Sequence, residues 1–255
     1  MKAIFLSDAH IRDHEDPNLP PLLAFLDTLP GEVERLYIVG DLFDTWFAFP
    51  RAVFDEYVPL LGALERLHRS GVRIIYVTGN HDFEMGQFFT RILQAEIHES
   101  EFTLETDGRR AYVAHGDMVN PYDHKYRRLR RILRCRFTRW LGRSLPPSWV
   151  WRIARRMSHD FTGEEIARTM PLKDIFDEFA RAKLSAGFDT VILGHLHLPS
   201  LTRREGRVYV NLGDWVSQRT FLRWDNGELS FWRWDAAAKR EERVQNAECR
   251  MQSAD

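Results

Sequence analysis

Five short apolar runs constrain this chain most: KAIFL at 2–6, RLYIV at 35–39, RIIYV at 73–77, AYVAH at 111–115 and TVILG at 190–194. Each is too short for a helix and has the branched and aromatic content of a buried strand. Between them the apolar residues return at three- and four-residue steps, in PLLAFLDTL, VFDEYVPLLGALERLHRS and DIFDEFARAKLS. That spacing puts one apolar stripe on a helix. Strands alternating with helices predict an α/β layered domain. Later, GRVYVNL, RTFLRWD and ELSFWRWD read as further strands, the last two joined by a DNG hairpin, so the sheet is expected to end in antiparallel pairing. A length of 255 residues, 44% of them hydrophobic, is enough for one buried core with room for an inserted subdomain.

Every one of the five runs ends in residue types that bind metals. The first leads into SDAH (Asp8, His10), the second into GDLFD (Asp41) and the third into GNHD (Asn80, His81). The fourth leads into AHGD (His115) and the fifth into GHLH (His195, His197). Ligands at the ends of neighbouring strands project from loops over one edge of a sheet, the usual place for a site in α/β proteins. Any one of these pieces alone is common in structural roles. Five in this order, each at a strand end, point to a metal centre. His14, His68, His98, His124 and His159 lie in helical or loop contexts and read as surface or structural residues.

The donors are carboxylates, an amide oxygen and imidazoles, with no thiolate, which suits Mn²⁺, Fe²⁺ or Zn²⁺ and argues against a structural zinc site. Two cations about 3.5–4 Å apart can clamp a phosphoryl group and activate water near neutral pH. Cys135 and Cys249 are far apart and form no CxxC pair, so a reducing cytoplasm is expected. The start, MKAIFLSDAH, lacks a charged-then-apolar leader pattern, and no apolar run approaches the roughly 20 residues of a spanning helix.

The series D-x-H, G-D-x-x-D, G-N-H-D, H-G-D and G-H-x-H, across residues 8 to 197, resembles the calcineurin-like metallophosphoesterases. The resemblance implies a four-layer α-β-β-α sandwich, two mixed sheets packed face to face with helices outside. It also implies two divalent ions, Mn²⁺ being the expected pair. Asp8, His10, Asp41 and His197 would hold one ion, and Asp41, Asn80, His115 and His195 the other, with Asp41 as the bridge. Asp41, Asn80 and His81 would then be the catalytic group.

The segment from His124 to His159 holds twelve Lys or Arg and no Asp or Glu, in a chain of formal net charge −1. Read as one helix, Leu129, Ile132, Leu133, Phe137, Trp140 and Leu141 make an apolar stripe beside Arg127, Arg130, Arg131 and Arg134. Three uses are open: a solvated basic face on a packed helix, a nucleic-acid groove, or a surface for a membrane or an acylated anion. The stretch HGDMVNPYDHKYRRLR is similar to the bacterial UDP-2,3-diacylglucosamine hydrolases, peripheral membrane enzymes of lipid A synthesis. That similarity implies hydrolysis of the substrate's pyrophosphate to UMP and 2,3-diacylglucosamine 1-phosphate. It implies substrate contacts at Asp123, Tyr126 and Arg130, with Arg156 in RIARRMSH, beside Asn80, His81 and His195. A helical cap, residues 119–183, would interrupt a metallophosphoesterase domain of residues 1–235, and a charged tail would follow at 236–255. The expected partners are an anionic acylated nucleotide sugar and, through the basic cap, the inner face of the inner membrane. Neither nucleic acid nor an obligate protein partner is expected.

Two departures from that hydrolase pattern stand out. His81 occupies a position where those hydrolases carry Arg, and DTWFAFP follows GDLF where they tend to have an acidic loop. An imidazolium helps an alkoxide leave more than it helps a phosphate anion leave. His81 therefore keeps a phosphoesterase acting on another monoester or diester, nucleotide or nucleic acid, as the alternative. A non-catalytic scaffold is the third reading, opposed by the filled ligand positions.

Overall fold

The computed structural model describes residues 1–49, 52–160 and 172–244. The five apolar runs are strands: β1 (Lys2–Leu6), β2 (Arg35–Val39), β4 (Arg73–Val77), β8 (Arg109–Ala114) and β9 (Thr190–Leu193). Between and after them lie β3 (Trp46–Phe47), β5 (Asp82–Glu84), β6 (Glu96–His98), β7 (Glu101–Thr106), β10 (Ser200–Arg204), β11 (Arg207–Asn211), β12 (Thr220–Asp225), β13 (Glu228–Asp235) and β14 (Arg240–Arg243). One sheet has seven strands in the order β14-β13-β12-β1-β2-β4-β6, and a second has five in the order β10-β11-β9-β8-β7. Both are mixed. β1, β2, β4 and β6 run parallel, while β12 to β14 pair antiparallel through the expected hairpin.

The two-residue alternation of the strands sorts side chains into layers. Phe5, Tyr37, Val39, Ile75 and Val77 face inward and meet Val113, Ile192, Val208 and Val210 of the other sheet. Ile4, Leu6, Leu36, Ile38, Ile74 and Tyr76 face outward, beneath α1 (Leu19–Leu26) and α2 (Val58–Arg69). On the opposite side Tyr112, Val191, Leu193 and Tyr209 are covered by Phe176, Ala180 and Leu184 of α6 (Leu172–Ser185). Helix, sheet, sheet and helix therefore stack as four layers. Each fully buried aliphatic or aromatic side chain contributes about 1.5–3 kcal/mol.

Local chemistry explains where elements differ from the sequence pattern. The helix expected from Val53 begins only at Val58, after a tight turn at Asp55–Tyr57, because Pro59 is favoured in a first turn and breaks an interior. β7 carries its apolar residues only on alternate positions of EFTLET, and β14, REER, has none. Main-chain pairing with β8 and β13 makes them strands.

The basic segment forms α3 (His124–Leu133), α4 (Arg136–Ser144) and α5 (Pro147–Asp160) rather than one long helix. Cys135 breaks it: its backbone is extended, and its Sγ accepts from the Thr138 amide as the cap of α4. α3 and α4 bury no residue fully, and the segment is seated through Val150 against Phe47 and Phe49. The tail beyond residue 244 and the link at 161–171 lie outside the described residues.

Candidate metal centre

The loops after β1, β2, β4, β8 and β9 converge at one edge of the paired sheets. Asp8, His10, Asp41, His195 and His197 all have positive φ, at 54°, 44°, 55°, 69° and 55°. Non-glycine residues rarely adopt this region, and such strain collects at functional sites. The side chains thus meet through left-handed turns, not through strand alternation carried past Leu6.

Two groups of ligand atoms form. In the first, Oδ1 of Asp8 lies 3.2 Å from Nε2 of His197 and 3.7 Å from Nε2 of His10. In the second, Nε2 of His115 lies 3.1 Å from Oδ2 of Asp41, 3.1 Å from Oδ1 of Asn80 and 3.2 Å from Nδ1 of His195. A third cluster joins His10 and Asp44 to His81, and sequence reasoning did not foresee it. Its His81 donates its backbone N–H to Oδ1 of Asp41 at 2.9 Å, and its Nε2 is 4.0 Å from Oδ2.

Backbone carbonyls orient the rings. Nδ1 of His115 is 2.9 Å from the Val39 carbonyl, and Nδ1 of His81 is 2.6 Å from the Asp44 carbonyl. A carbonyl only accepts, so each Nδ1 carries a proton; Nε2 of His115 turns its lone pair into the site, and Nε2 of His81 is the nitrogen left to take up and hand on a proton. The second group is then mostly acceptors facing acceptors. Oδ1 of Asp8 is buried and, among the described residues, accepts no hydrogen bond. Lone pairs converging in a buried pocket require a proton or a metal ion.

Electrostatics give the same reading. Burial works against the Asp8 carboxylate, but His115, His10 and His197 outweigh it and hold its pKa well below the usual range. Asp41 is likewise lowered against burial, by His115 and His81. Burial opposes charging of His115, and Asp41 and Asp8 raise it strongly despite that. His195 is pushed down to about 4, by burial first and then by His115. The carboxylates thus hold positive charge in the pocket. Carboxylate, amide oxygen and imidazole donors fit divalent ions there, and Asp8, His10 and His197 on one side, with Asp41, Asn80, His115 and His195 on the other, would hold them.

Further contacts act from a distance, among them those of Asp82 and Asp117, the last residues of the GNHD and HGD motifs. Oδ2 of Asp82 accepts from the Asp41 and Gly79 amides, each at 2.9 Å, and Oδ1 accepts from the Tyr76 hydroxyl at 2.9 Å. Asp117 takes the Tyr126 hydroxyl as donor and pairs with Nε of Arg130 at 2.8 Å. Asp123 caps α3 by accepting the Tyr126 amide at 2.8 Å. Asp123, Tyr126 and Arg130 are therefore all joined to protein atoms. Arg134 donates to the Gly79 carbonyl at 2.7 Å, which ties the basic segment to the loop of Asn80 and His81. Arg156 lies exposed on α5.

Comparison with known proteins agrees with this geometry. The calcineurin-like phosphoesterase model matches residues 1–199. A UDP-2,3-diacylglucosamine hydrolase of Porphyromonas gingivalis is 31% identical, covering 89% of this chain and 95% of its own. Proteins of the same name from Pseudomonas savastanoi and Neisseria meningitidis are each 29% identical, covering 89% and 84% of this chain and 93% and 89% of their own. The family match spans all five strand-end motifs, and the folded chain gathers their side chains into one pocket: this protein belongs to the calcineurin-like phosphoesterase family.

Proposed function

We propose that the chain hydrolyses the pyrophosphate bond of UDP-2,3-diacylglucosamine, giving UMP and 2,3-diacylglucosamine 1-phosphate. The observation that carries this reading is the convergence of Asp8, His10 and His197 beside Asp41, His115 and His195, in a chain about 30% identical over most of its length to hydrolases of that name. Two divalent ions, expected to be Mn²⁺, would supply a water acidic enough to deprotonate near neutral pH and a clamp for the phosphoryl oxygens. Asp41, which faces His115 and His81, serves as the shared ligand in this reading. The chain's own contributions are orientation and charge. Val39 and Asp44 fix two imidazoles, Asn80 presents an amide oxygen, and His81 faces the reacting phosphate as a hydrogen-bond or proton donor. A water oxygen forms the new bond to phosphorus, the bridging P–O bond breaks, and the leaving phosphate carries off the electron pair.

The cap is the acyl-binding part of this reading. Phe137 and Trp140 are 67% and 61% exposed, with ring centroids 5.9 Å apart, and Trp149 and Ile153 of α5 are exposed as well. Among the described residues no helix is long and apolar enough to cross a membrane. An exposed aromatic and cationic face suits the anionic inner surface of a membrane, where each Lys or Arg is worth about 1 kcal/mol. Asp123, Tyr126, Arg130 and Arg156 serve as substrate contacts here when the substrate replaces or extends their present bonds.

Purified protein with Mn²⁺ tests the reading against UDP-2,3-diacylglucosamine, UDP-sugars without acyl chains, cyclic nucleotides and single-stranded DNA. Release of UMP from the acylated substrate alone supports it. Cleavage of DNA or simple diesters with no UMP release sinks it in favour of the alternative, which His81 favours by offering an alkoxide leaving group a proton.

A further inference from the structure

His197 is more exposed than His10, His115, Asp8 or Asp41. Its side chain is 42% exposed, on a loop with φ of 55°. Unlike His115 and His81, no backbone carbonyl holds its Nδ1 in the described structure. Oδ2 of Asp214 stands there instead, 3.6 Å away, while Nε2 faces Asp8. Asp214 is only 3% exposed and belongs to the turn after β11, outside the strand-end motifs.

The turn is built to hold that carboxylate. Oδ1 of Asp214 accepts from the Ser217 amide at 2.6 Å, the Ser217 hydroxyl at 2.9 Å and the Gln218 amide at 3.1 Å. The same turn reaches the first ligand group twice more. The Trp215 amide donates to the Asp8 carbonyl at 3.1 Å, and the Gln218 side-chain amide donates to the His197 carbonyl at 3.0 Å. One short segment therefore fixes the backbones of Asp8 and His197 and faces the outer nitrogen of the His197 ring.

We propose that Asp214 is a positioning residue for the first ion: it holds the His197 ring with Nδ1 protonated and Nε2 directed at the cation, and adds negative charge behind it. A carboxylate behind a ligating imidazole fixes its tautomer and makes it a better donor. Asp214 touches neither the ion nor the substrate. The inference rests on Asp8, His10 and His197 being ligands to one ion.

The test is a Mn²⁺ titration of chelator-stripped protein, followed by paramagnetic resonance and by melting temperature. Asp214→Asn keeps the oxygen that accepts from the Ser217 and Gln218 amides but turns an NH₂ group toward His197 and toward the Ser217 hydroxyl, which also reaches Oδ2 at 2.9 Å. It is expected to weaken one of two ions about 10–100-fold, leaving the other and the ion-free melting temperature unchanged. Gln218→Ala, which removes only the carbonyl clamp, is expected to have the smaller effect. Wild-type affinity for both ions in Asp214→Asn overturns the proposal and leaves the two-ion reading intact. Equal weakening of both ions also overturns it, because the turn would then support the loops as a whole. A wild-type protein binding a single ion, unaffected by His197→Ala, overturns the reading of the ligands and this inference with it.

Discussion

A Cβ on Gly79 would lie 2.2 Å from Oδ1 of Asp41. The backbone before Asn80 and the carboxylate after β2 are thus in contact across a gap that only hydrogen fits. Gly40 is confined in the same way, since its Cβ would meet Nδ1 of His115 at 2.3 Å. Asp41 cannot move freely, because its Oδ1 already accepts the His81 amide. Gly79→Ala is therefore expected to displace Asp41, destabilise the fold by about 1–3 kcal/mol as overpacking does, and lower metal content. Calorimetry and elemental analysis of the purified variant check this.

Asp41→Ala removes the carboxylate that His115 and His81 both face. Loss of at least one bound ion per chain is expected, with turnover falling more than about a hundredfold. Two ions per chain with near wild-type activity would refute its role as the shared ligand.

His81→Ala leaves both main ligand groups in place, since the backbone amide to Asp41 survives. Turnover is expected to fall, with metal content unchanged. General acid–base help is typically ~10²–10⁴-fold, and a phosphate leaving group puts the loss at the lower end. A diester with a poor leaving group should suffer more, and comparison of the two substrates reads the difference. Loss of metal in this variant would make His81 a ligand.

In the ion-free protein His195 should act against stability in mild acid. His195 is held at about 4 in the fold against an ordinary value of 6.5, so the unfolded chain binds its proton first as pH falls. Its contribution to stability is fully present above 6.5 and is lost between 6.5 and about 4. Asp82, held up at about 6 by burial and by Asp41, works the other way in the same window, so the readout is a difference: denaturant midpoints should fall more steeply with acid in the wild type than in His195→Gln. An identical slope in both would show that His195 does not set it.

Replacing Leu133, Phe137 and Trp140 together by Ser should raise KM for the acylated substrate and spare a small chromogenic diester. Burial is worth roughly 0.8 kcal/mol per CH₂, so shortening the acyl chains should narrow the difference. Vesicle binding should need anionic lipid and weaken with salt, because exposed charge is screened over ~10 Å at 0.1 M. Abolished DNA cleavage with the acylated substrate untouched would make this segment a nucleic-acid clamp.

Sequence alone determined the parts whose causes are local. Alternating apolar runs fixed the five ligand-bearing strands, because a strand buried on both faces must be apolar throughout. The Asp, Asn and His types at their ends were legible for the same reason: nothing else in those turns explains them. Tertiary structure decided what depends on distant partners. REER is a strand only because β13 offers a free edge, and the basic segment is three helices because Cys135 caps a new one. Much of its charge was legible as composition but not as role: Arg127, Arg130, Arg134, Arg139 and Arg143 all reach protein acceptors. Asp214 was invisible in sequence, and so was the part played by Asp82, the last residue of GNHD, since an Asp gains its meaning from what the fold places beside it. The amide of His195 donating to Asp8, 187 residues away, is the same effect at the centre of the site. Long-range contacts of this kind close only when both sheets have formed, and no local pattern encodes them.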